Sequence, residues 1–363
     1  MVKEKEIIVI GGGVLGASLT YYLSKKGKKV LLLEKGEICS GVSSTTAALV
    51  LPSPKTPEFY TRSSWAGYDR IVKLEEELEA DFELQITGST MLCRVPEKES
   101  GMRETVEINQ SLGKDVRWLT PGELVEREPI LNPEAFLGGV YCRESGNLNP
   151  FLFVNAFIQK AKQLGAEVLT FTEVTGFETS GDRIRLVHTT RGDYQAEQIV
   201  SAAGNGAISI GRMLGVDPHI QNTRGMILVS EKMPPILHST YAEMRQAKSG
   251  NLIMGANFRN LEAGNTDKRV YYDEMMEVAE DIAVLAPRLK KLKIIRMYSG
   301  IRVLPEDGLP ILGRPKKYTN FWFYHMHSAF SASPEFSGRL SDILCGDASM
   351  DSVAEYDYRR FEV

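Results

Sequence analysis

The chain lacks the usual signs of metal, disulfide or membrane chemistry. Its four cysteines, Cys39, Cys93, Cys142 and Cys345, are scattered, with no Cys-x-x-Cys spacing and no histidine at a metal-ligand interval. Neither a zinc site nor a disulfide framework is therefore signalled, no metal is expected, and a reducing compartment is the simpler setting. No apolar run approaches the roughly 20 residues needed to span a bilayer. The first strand and its glycine turn begin so near Met1 that a cleaved leader would remove them, so a cytoplasmic location is expected. An excess of one charge is missing too. The formal net charge of -4 gives no footing for nucleic acid, and Lys25-Lys26-Gly27-Lys28-Lys29 reads as a solvated helix end. Internal repeats and low-complexity linkers are absent.

What is present has the balance of a soluble globular protein: 363 residues, 43% apolar and 25% charged. That length allows two or three domains, or one extended domain with a smaller insertion. Glu6 to Ile10 is a short apolar strand, followed at once by Gly11-Gly12-Gly13-Val14-Leu15-Gly16. A helical pattern then places Leu15, Leu19, Tyr22 and Leu23 on one face until Gly27 stops it, and Lys29 to Leu33 is a second strand closed by Glu34. This strand, helix, strand unit must be parallel with a right-handed crossover. Helices are predicted over Pro57 to Phe82 (Trp65, Tyr68, Ile71, Val72, Leu74, Leu78), Pro150 to Leu164 (Phe153, Phe157, Ile158, Ala161) and Tyr271 to Leu285. Strands are predicted over Ser89 to Val95, Val116 to Leu119 and Phe321 to Met326. Glu167 to Phe171, Val174 to Glu178, Ile184 to Thr189 and Asp193 to Val200 read as a meander rather than a further βαβ unit, and Gly225 to Phe258 reads as antiparallel. Ile199 to Ala203 is a central strand whose end, Ala203-Gly204, meets a ligand or a helix. Ser333-Pro334-Glu335 has the N-cap, N1 and acidic-first-turn pattern of a last helix running to Cys345-Gly346.

The glycine string gains its meaning from context. It follows a strand, opens a helix, and is answered about 20 residues on by an acidic residue, Glu34, as ribose recognition requires. Gly11 permits the tight turn, Gly13 lets backbone approach a pyrophosphate, Gly16 lets the helix lie close to the strand, and the helix N-terminus, with Val14 and Leu15, supplies partial positive charge. After Glu34-Lys35 comes a hydroxyl-rich loop, Ser40-Gly41-Val42-Ser43-Ser44-Thr45-Thr46-Ala47-Ala48. It can donate several hydrogen bonds to phosphate and sugar oxygens, whereas a nicotinamide-binding unit would proceed to a further helix and strand.

With this loop the sequence resembles the glycine oxidase, sarcosine oxidase and D-amino-acid oxidase group of FAD-dependent amine oxidoreductases. The resemblance continues through Thr172-Glu173-Val174, similar to the segment bordering the adenine. It continues through Val200 to Ala203-Gly204, similar to the strand ending beside the flavin. It is most specific over Tyr298-Ser299-Gly300-Ile301-Arg302-Val303-Leu304-Pro305-Glu306-Asp307-Gly308-Leu309-Pro310-Ile311-Leu312-Gly313. It implies an α/β fold: a Rossmann-like FAD-binding domain of the glutathione-reductase type (1–85, 146–220 and 300–363) and an α+β, antiparallel-sheet substrate domain (86–145 and 221–299). It also implies non-covalent FAD, since Cys345 falls inside the last helix, away from the position that carries a covalent link in some relatives.

Arg302 inherits the role of the arginine that binds the substrate carboxylate, for which a planar, permanently charged fork is suited. Tyr241 and Tyr298 are candidate pocket aromatics, with half-buried packing as the alternative. His327 matches the family's histidine, and with Ser328, Ala329, Phe330 and Ser331 forms the loop beside the flavin. This chain departs from the family there: Met326 replaces a glycine, and 328–333 contain none. The N-terminus of the last helix, expected at Ser333 to Glu335, is expected to face the flavin's pyrimidine edge and stabilise the anionic reduced ring; Glu335 in the first turn favours the helix but would oppose that effect if it faced the ring. The implied activity is hydride transfer from the carbon bearing the nitrogen of a small amino acid or secondary amine (glycine, sarcosine, D-proline, hydroxyproline), giving an imine. Oxygen or a protein accepts the electrons, in a homo- or hetero-oligomer; a catalytically inactive flavoprotein scaffold is the remaining reading.

Overall fold

The computed structural model describes residues 3–255, 258–262 and 265–362. Strand β1 (Lys3–Ile10), helix α1 (Val14–Lys25) and strand β2 (Val30–Leu33) form the expected parallel unit, with Ile7 opposite Val30 and Ile10 opposite Leu33. The prediction of one apolar face on α1 is too modest: every residue from Val14 to Ser24 is buried. The reason is tertiary, for the helix lies between the sheet and two other helices. The lysine string closes it as predicted, with Lys26 paired to Asp342 and Asp347.

Next come β3 (Leu49–Val50), α2 (Glu58–Leu78), β4 (Ser89–Cys93), α3 (Glu99–Ser111), β5 (Val116–Leu119), α4 (Pro121–Arg127), β6 (Gly138–Cys142) and β7 (Gly146–Asn147). On α2 the predicted apolar stripe is buried except for Val72, which is 41% exposed. α3 and α4 had no prediction; α4 is started by a capping box between Thr120 and Glu123. Asn149 caps α5 (Pro150–Gln163) by accepting from the backbone of Phe151 and Leu152, and Phe153, Phe157, Ile158 and Ala161 are buried as predicted.

The meander prediction needs one correction. β8 (Glu167–Leu169) pairs in parallel with β2, so α5 and β8 extend the βαβ winding; only β9 (Val174–Ser180), β10 (Arg183–Thr189) and β11 (Gly192–Ser201) run antiparallel. Turn dipeptides mark reversals of the chain locally, whereas the partner of β8 is brought in by long-range packing of α5 on α1. After α6 (Ala207–Leu214) the long strand β12 (Ile220–Lys232) leads to β13 (Thr240–Tyr241), β14 (Met244–Gln246), β15 (Asn251–Met254) and β16 (Phe258–Asn260). α7 (Tyr272–Leu285), β17 (Ile294–Pro305), β18 (Ile311–Gly313), β19 (Phe321–His325) and α8 (Ala329–Cys345) complete the chain of major elements.

One sheet runs β18-β19-β11-β1-β2-β8, with β10 and β9 attached at β11, so the strand ending at Ser201 is central as predicted. A second sheet gathers β14, β15, β12, β16 and β17, and a third β13, β4, β6 and β5. β12 and β17 pair antiparallel from Ile220 opposite Pro305 to Ser230 opposite Ile294. The fold is thus α/β with antiparallel sheets beside the parallel one. Two apolar clusters flank the parallel sheet, and one, including Leu92, Tyr141, Met226, Tyr241 and Leu252, fills the space between the antiparallel sheets and α7.

The last helix begins earlier than predicted. α8 starts at Ala329, after Ser328 in the left-handed region (φ 60°), and Pro334 lies inside it. Packing overrides the Ser-Pro-Glu start pattern. Phe330 is buried against the Phe153 ring (5.9 Å), and Ala332 is buried over Gly67 of α2, where a Cβ would come within 2.6 Å of the Ser331 carbonyl oxygen. Glu335 accepts from Arg70 Nε (2.6 Å) and Arg339 Nε (2.7 Å), two helix-surface arginines, and so does not oppose the helix N-terminus.

Candidate active site

The glycine turn closes where β1 ends. Gly11 has φ 112°, and a Cβ there would come within 2.6 Å of the Ala202 carbonyl oxygen; at Gly16 a Cβ would run into the Gly11 carbonyl. Gly13, just before α1, would meet Ser43 Oγ at 3.0 Å if it carried a Cβ. The Val14 N–H donates to Ser43 Oγ (3.0 Å), which ties the hydroxyl-rich loop to the helix start, and Leu15 is buried beneath it. The N-cap residue of α1, Gly13, has no side chain to cap it and no acidic residue lies in its first turn, so beyond the Val14 N–H the helix N-terminus is open to an anion. Glu34 accepts from the backbone N–H of Gly12 (2.6 Å) and of Gly36 (2.8 Å), a carboxylate held at the rim of the turn.

Around this turn the loop hydroxyls are partly spent on the loop itself. Ser44 Oγ donates to the Gly41 carbonyl (2.8 Å), Thr45 Oγ1 to that of Val42 (3.3 Å), and Thr46 Oγ1 accepts from the Ala48 N–H (2.9 Å). Lys35 and Ser40 are exposed. The Thr172 N–H donates to the Glu34 carbonyl (2.8 Å), which brings the buried Val174 alongside the end of β2. Ala203 lies directly beneath Gly11, and Gly204 follows with φ 55°. Nearby, Ser201 Oγ and Asn205 Oδ1 are buried without a hydrogen-bond partner among the described residues. Missing Cβ atoms, a helix start with no acidic residue and orphaned polar atoms together make a cradle that fits the ADP half of FAD.

Alternation along β17 puts Tyr298, Gly300 and Arg302 on one face. Gly300 touches the loop so closely that a Cβ would sit 2.6 Å from the Thr45 carbonyl oxygen. Arg302 is half-buried, its guanidinium 3.8 Å from the centre of the Phe258 ring, and its Nε has no hydrogen-bond partner among the described residues. Burial pushes its pKa down from the ordinary arginine value. Tyr298 is half-buried. Tyr241 is 1% exposed within the core between the antiparallel sheets. Arg245, unremarked in the sequence, is buried with Nη1 donating to Asn147 Oδ1 (2.9 Å) and Nε to the Ala47 carbonyl, so it braces the same loop.

The loop before α8 closes this end. Ser331 Oγ accepts from the Leu51 N–H (2.9 Å), pinning 328–331 to the strand after the hydroxyl-rich loop, while Ala329 opens the helix and Phe330 points into the core. His327 Nδ1 shares a hydrogen bond with Ser328 Oγ (2.9 Å), and Lys55 Nζ donates to the same oxygen (2.8 Å). Burial, reinforced by the charges of Lys55 and Arg302, pushes His327 down to about 3, so the imidazole is neutral. Burial and the Arg302 charge bring Lys55 down to about 8. No carboxylate among the described residues offsets either cation. Lys55 was missed because it stands in a proline-punctuated connection, Pro52-Ser53-Pro54-Lys55-Thr56-Pro57, with no periodicity to assign it a face.

Comparison with known proteins shows the family. The profile of the DAO family, described as FAD dependent oxidoreductase, matches residues 6–341. Glycine oxidase of Geobacillus kaustophilus (strain HTA426) is 28% identical over 326 residues, covering 86% of this chain and 85% of that protein. Sarcosine oxidase subunit beta of Arthrobacter sp is 27% identical over 383 residues, covering 99% and 92%. Among solved structures, L-proline dehydrogenase from P. horikoshii shares the fold with a TM-score of 0.90 at 24% identity, over 100% of this chain and 99% of that one. Glycine oxidase from Geobacillus kaustophilus gives 0.86 at 25% identity, over 96% of each. The chain belongs to the FAD-dependent oxidoreductase family, it is an enzyme, and FAD is its cofactor.

Proposed function

We propose that the enzyme oxidises the C–N bond of a small amino acid or N-alkyl amino acid, with Arg302 holding the substrate carboxylate. The observation that carries this reading is the unpartnered, buried Nε of Arg302 on the strand face that touches the Thr45 loop. A charged group left without an acceptor is costly, and a carboxylate relieves that cost through a bidentate pair. The residues that would hold the cofactor are Gly11, Gly13, Val14, Leu15, Gly16, Glu34 and the 40–48 loop at the ADP half, with Gly300 and the 327–331 loop toward the flavin. Bound FAD supplies the hydride acceptor, and the imine left behind is hydrolysed by water. Arg302 fixes the α-carbon, and the buried surroundings of His327 and Ser328 exclude water. Neutral His327 accepts or donates a hydrogen bond without adding charge. The division into an FAD domain and a substrate domain at 85/86, 145/146, 220/221 and 299/300 belongs to the same proposal.

A second reading makes this the flavin subunit of a larger dehydrogenase. It is favoured by the apolar end of edge strand β17, where Ile295 is 63% and Met297 45% exposed. Both readings are tested by adding glycine, N-methyl and cyclic amino acids anaerobically to the FAD-loaded protein, then admitting air. Bleaching of the flavin band that recovers rapidly in air identifies an oxidase, and bleaching that persists identifies a dehydrogenase with another acceptor. In either case Arg302→Met is expected to weaken substrate binding about 100-fold or more, read as the concentration that half-bleaches the flavin. Full bleaching by the variant at parental concentrations would remove Arg302 from this role.

A further inference from the structure

Arg302 is held from two strands away. On the side of β12 opposite β17, the short strand β16 pairs antiparallel, with Phe258 opposite Gly225, Arg259 opposite Arg224 and Asn260 opposite Thr223. Across β12, Gly225 is opposite Gly300 and Thr223 is opposite Arg302. Residues directly opposite one another in antiparallel strands project to the same face. Phe258, Gly225 and Gly300 thus form one row, and Asn260, Thr223 and Arg302 the next, on the face that touches the Thr45 loop. Gly225 has no side chain to stand between the outer strands, and the Phe258 ring lies across β12 with its centre 3.8 Å from the guanidinium carbon of Arg302. At that separation a planar cation rests against the face of the ring, where the ring quadrupole is negative.

The other face of the sheet fixes this arrangement. Arg259 alternates to the opposite side and pairs with Glu277 of α7, and Arg224 beside it pairs with Glu274 of the same helix. Core packing does not account for Phe258, which is 45% exposed and belongs to none of the three apolar clusters. Its contact with Arg302 has a chemical consequence. A guanidinium stacked on one face loses rotamer freedom before a ligand arrives, and its N–H groups, which lie in its own plane, stay available at the edge. We propose that Phe258 is a positioning residue, whose ring holds the Arg302 guanidinium in the plane in which its N–H edge meets the substrate carboxylate. This rests on the carboxylate-binding role proposed for Arg302 and adds the residue that prepares it.

The test titrates methoxyacetate, a non-oxidisable ether analogue of sarcosine, into the FAD-loaded protein and follows perturbation of the flavin absorbance; FAD content is read from the same spectra. Phe258→Leu keeps an apolar side chain but removes the aromatic face, and is expected to weaken methoxyacetate about tenfold. Phe258→Tyr is expected to stay within about twofold of the parent. A ring-fluorinated phenylalanine at position 258 keeps the shape and drains the quadrupole, so it is expected to weaken binding about threefold or more. It also decides the matter if the leucine variant loses FAD. Binding within about twofold of the parent in the leucine variant, or in the fluorinated one, overturns the proposal, since the ring would then serve only as bulk. A tyrosine variant as weak as the leucine variant overturns it too. Arg302→Met is expected to weaken methoxyacetate in any case; if it does so while the position 258 variants are silent, the amino-acid reading stands and this inference alone falls. A parent that shows no binding, or an Arg302→Met variant that binds as the parent does, removes the carboxylate site itself.

Discussion

At the scale of single residues, buried charge is the feature that the sequence hid most thoroughly. Glu243 lies between β13 and β14 with Oε2 buried and without a hydrogen-bond donor among the described residues, near an Arg94–Asp281 pair that is already satisfied (2.6 Å). Burial pushes its carboxyl from 4.5 up to about 7. Below the unfolded value both states hold the proton and nothing is lost. As pH rises through the folded value the unfolded chain has already released it, so stability falls. Glu243→Gln is therefore expected to match the parent near pH 4.5 and to exceed it above pH 7 by about 1–3 kcal/mol, measured by denaturant unfolding at both pH values. An equal difference at both would remove ionisation as the cause. Arg302 was legible because it stands in a sixteen-residue string of recognisable pattern, Tyr298 to Gly313. Glu243, Arg245 and Lys55 were not, since nothing in a one-dimensional pattern says that a charged side chain will be folded inward.

Among elements, the close approach of β17 to the 43–48 loop decides whether the cofactor cradle and the Arg302 face meet. A Cβ on Gly300 would lie 2.6 Å from the Thr45 carbonyl oxygen, and backbone must move to admit it. Gly300→Ala is expected to weaken FAD binding about tenfold and to cost about 1–3 kcal/mol of stability, read by quenching of flavin fluorescence on titration and by thermal melting. Gly122→Ala in α4 is the control: a Cβ there meets nothing within 4 Å, so FAD affinity is retained and stability is unchanged or raised by up to about 1 kcal/mol. Elements with strong periodicity or a cap, such as β1, α1, α2 and α5, were readable from sequence. The start of α8 was not, because Phe330 and Ala332 gain more from burial than the Ser333-Pro334 signal offers locally, and β8 found its partner through α5 rather than through a turn.

For the whole molecule, acid should be more damaging than base. His325 is fully buried at the end of β19, with both ring nitrogens unpartnered among the described residues, and burial pushes it down to about 3; His327 is pushed down to the same value. Both folded-state values lie below the unfolded value of 6.5, so their contribution is present above pH 6.5 and is lost as pH falls, when the unfolded chain takes up two protons that the folded chain refuses. Glu243 works in the opposite sense from 4.5 to about 7, one proton against two, so the sum still declines. The expected melting profile falls steadily from pH 7 to pH 5. His325→Leu is expected to reduce that slope and to be neutral or stabilising at pH 7.5, since it removes two unsatisfied nitrogens; an unchanged slope would assign the acid sensitivity to other groups. No helix among the described residues is long and apolar enough to cross a membrane.

The sequence by itself determined the dinucleotide turn, the acidic residue that answers it, the hydroxyl-rich loop and the arginine-bearing string. Each of these is a local pattern in which residue type follows directly from backbone conformation or charge. Only the tertiary structure decided that Gly300 abuts Thr45, that Glu335 turns to Arg70 and Arg339, and that Lys55 turns inward to Ser328 beside His327. Those outcomes depend on which distant surfaces exclude water together, and burial of that kind has no signature in the order of residues along the chain.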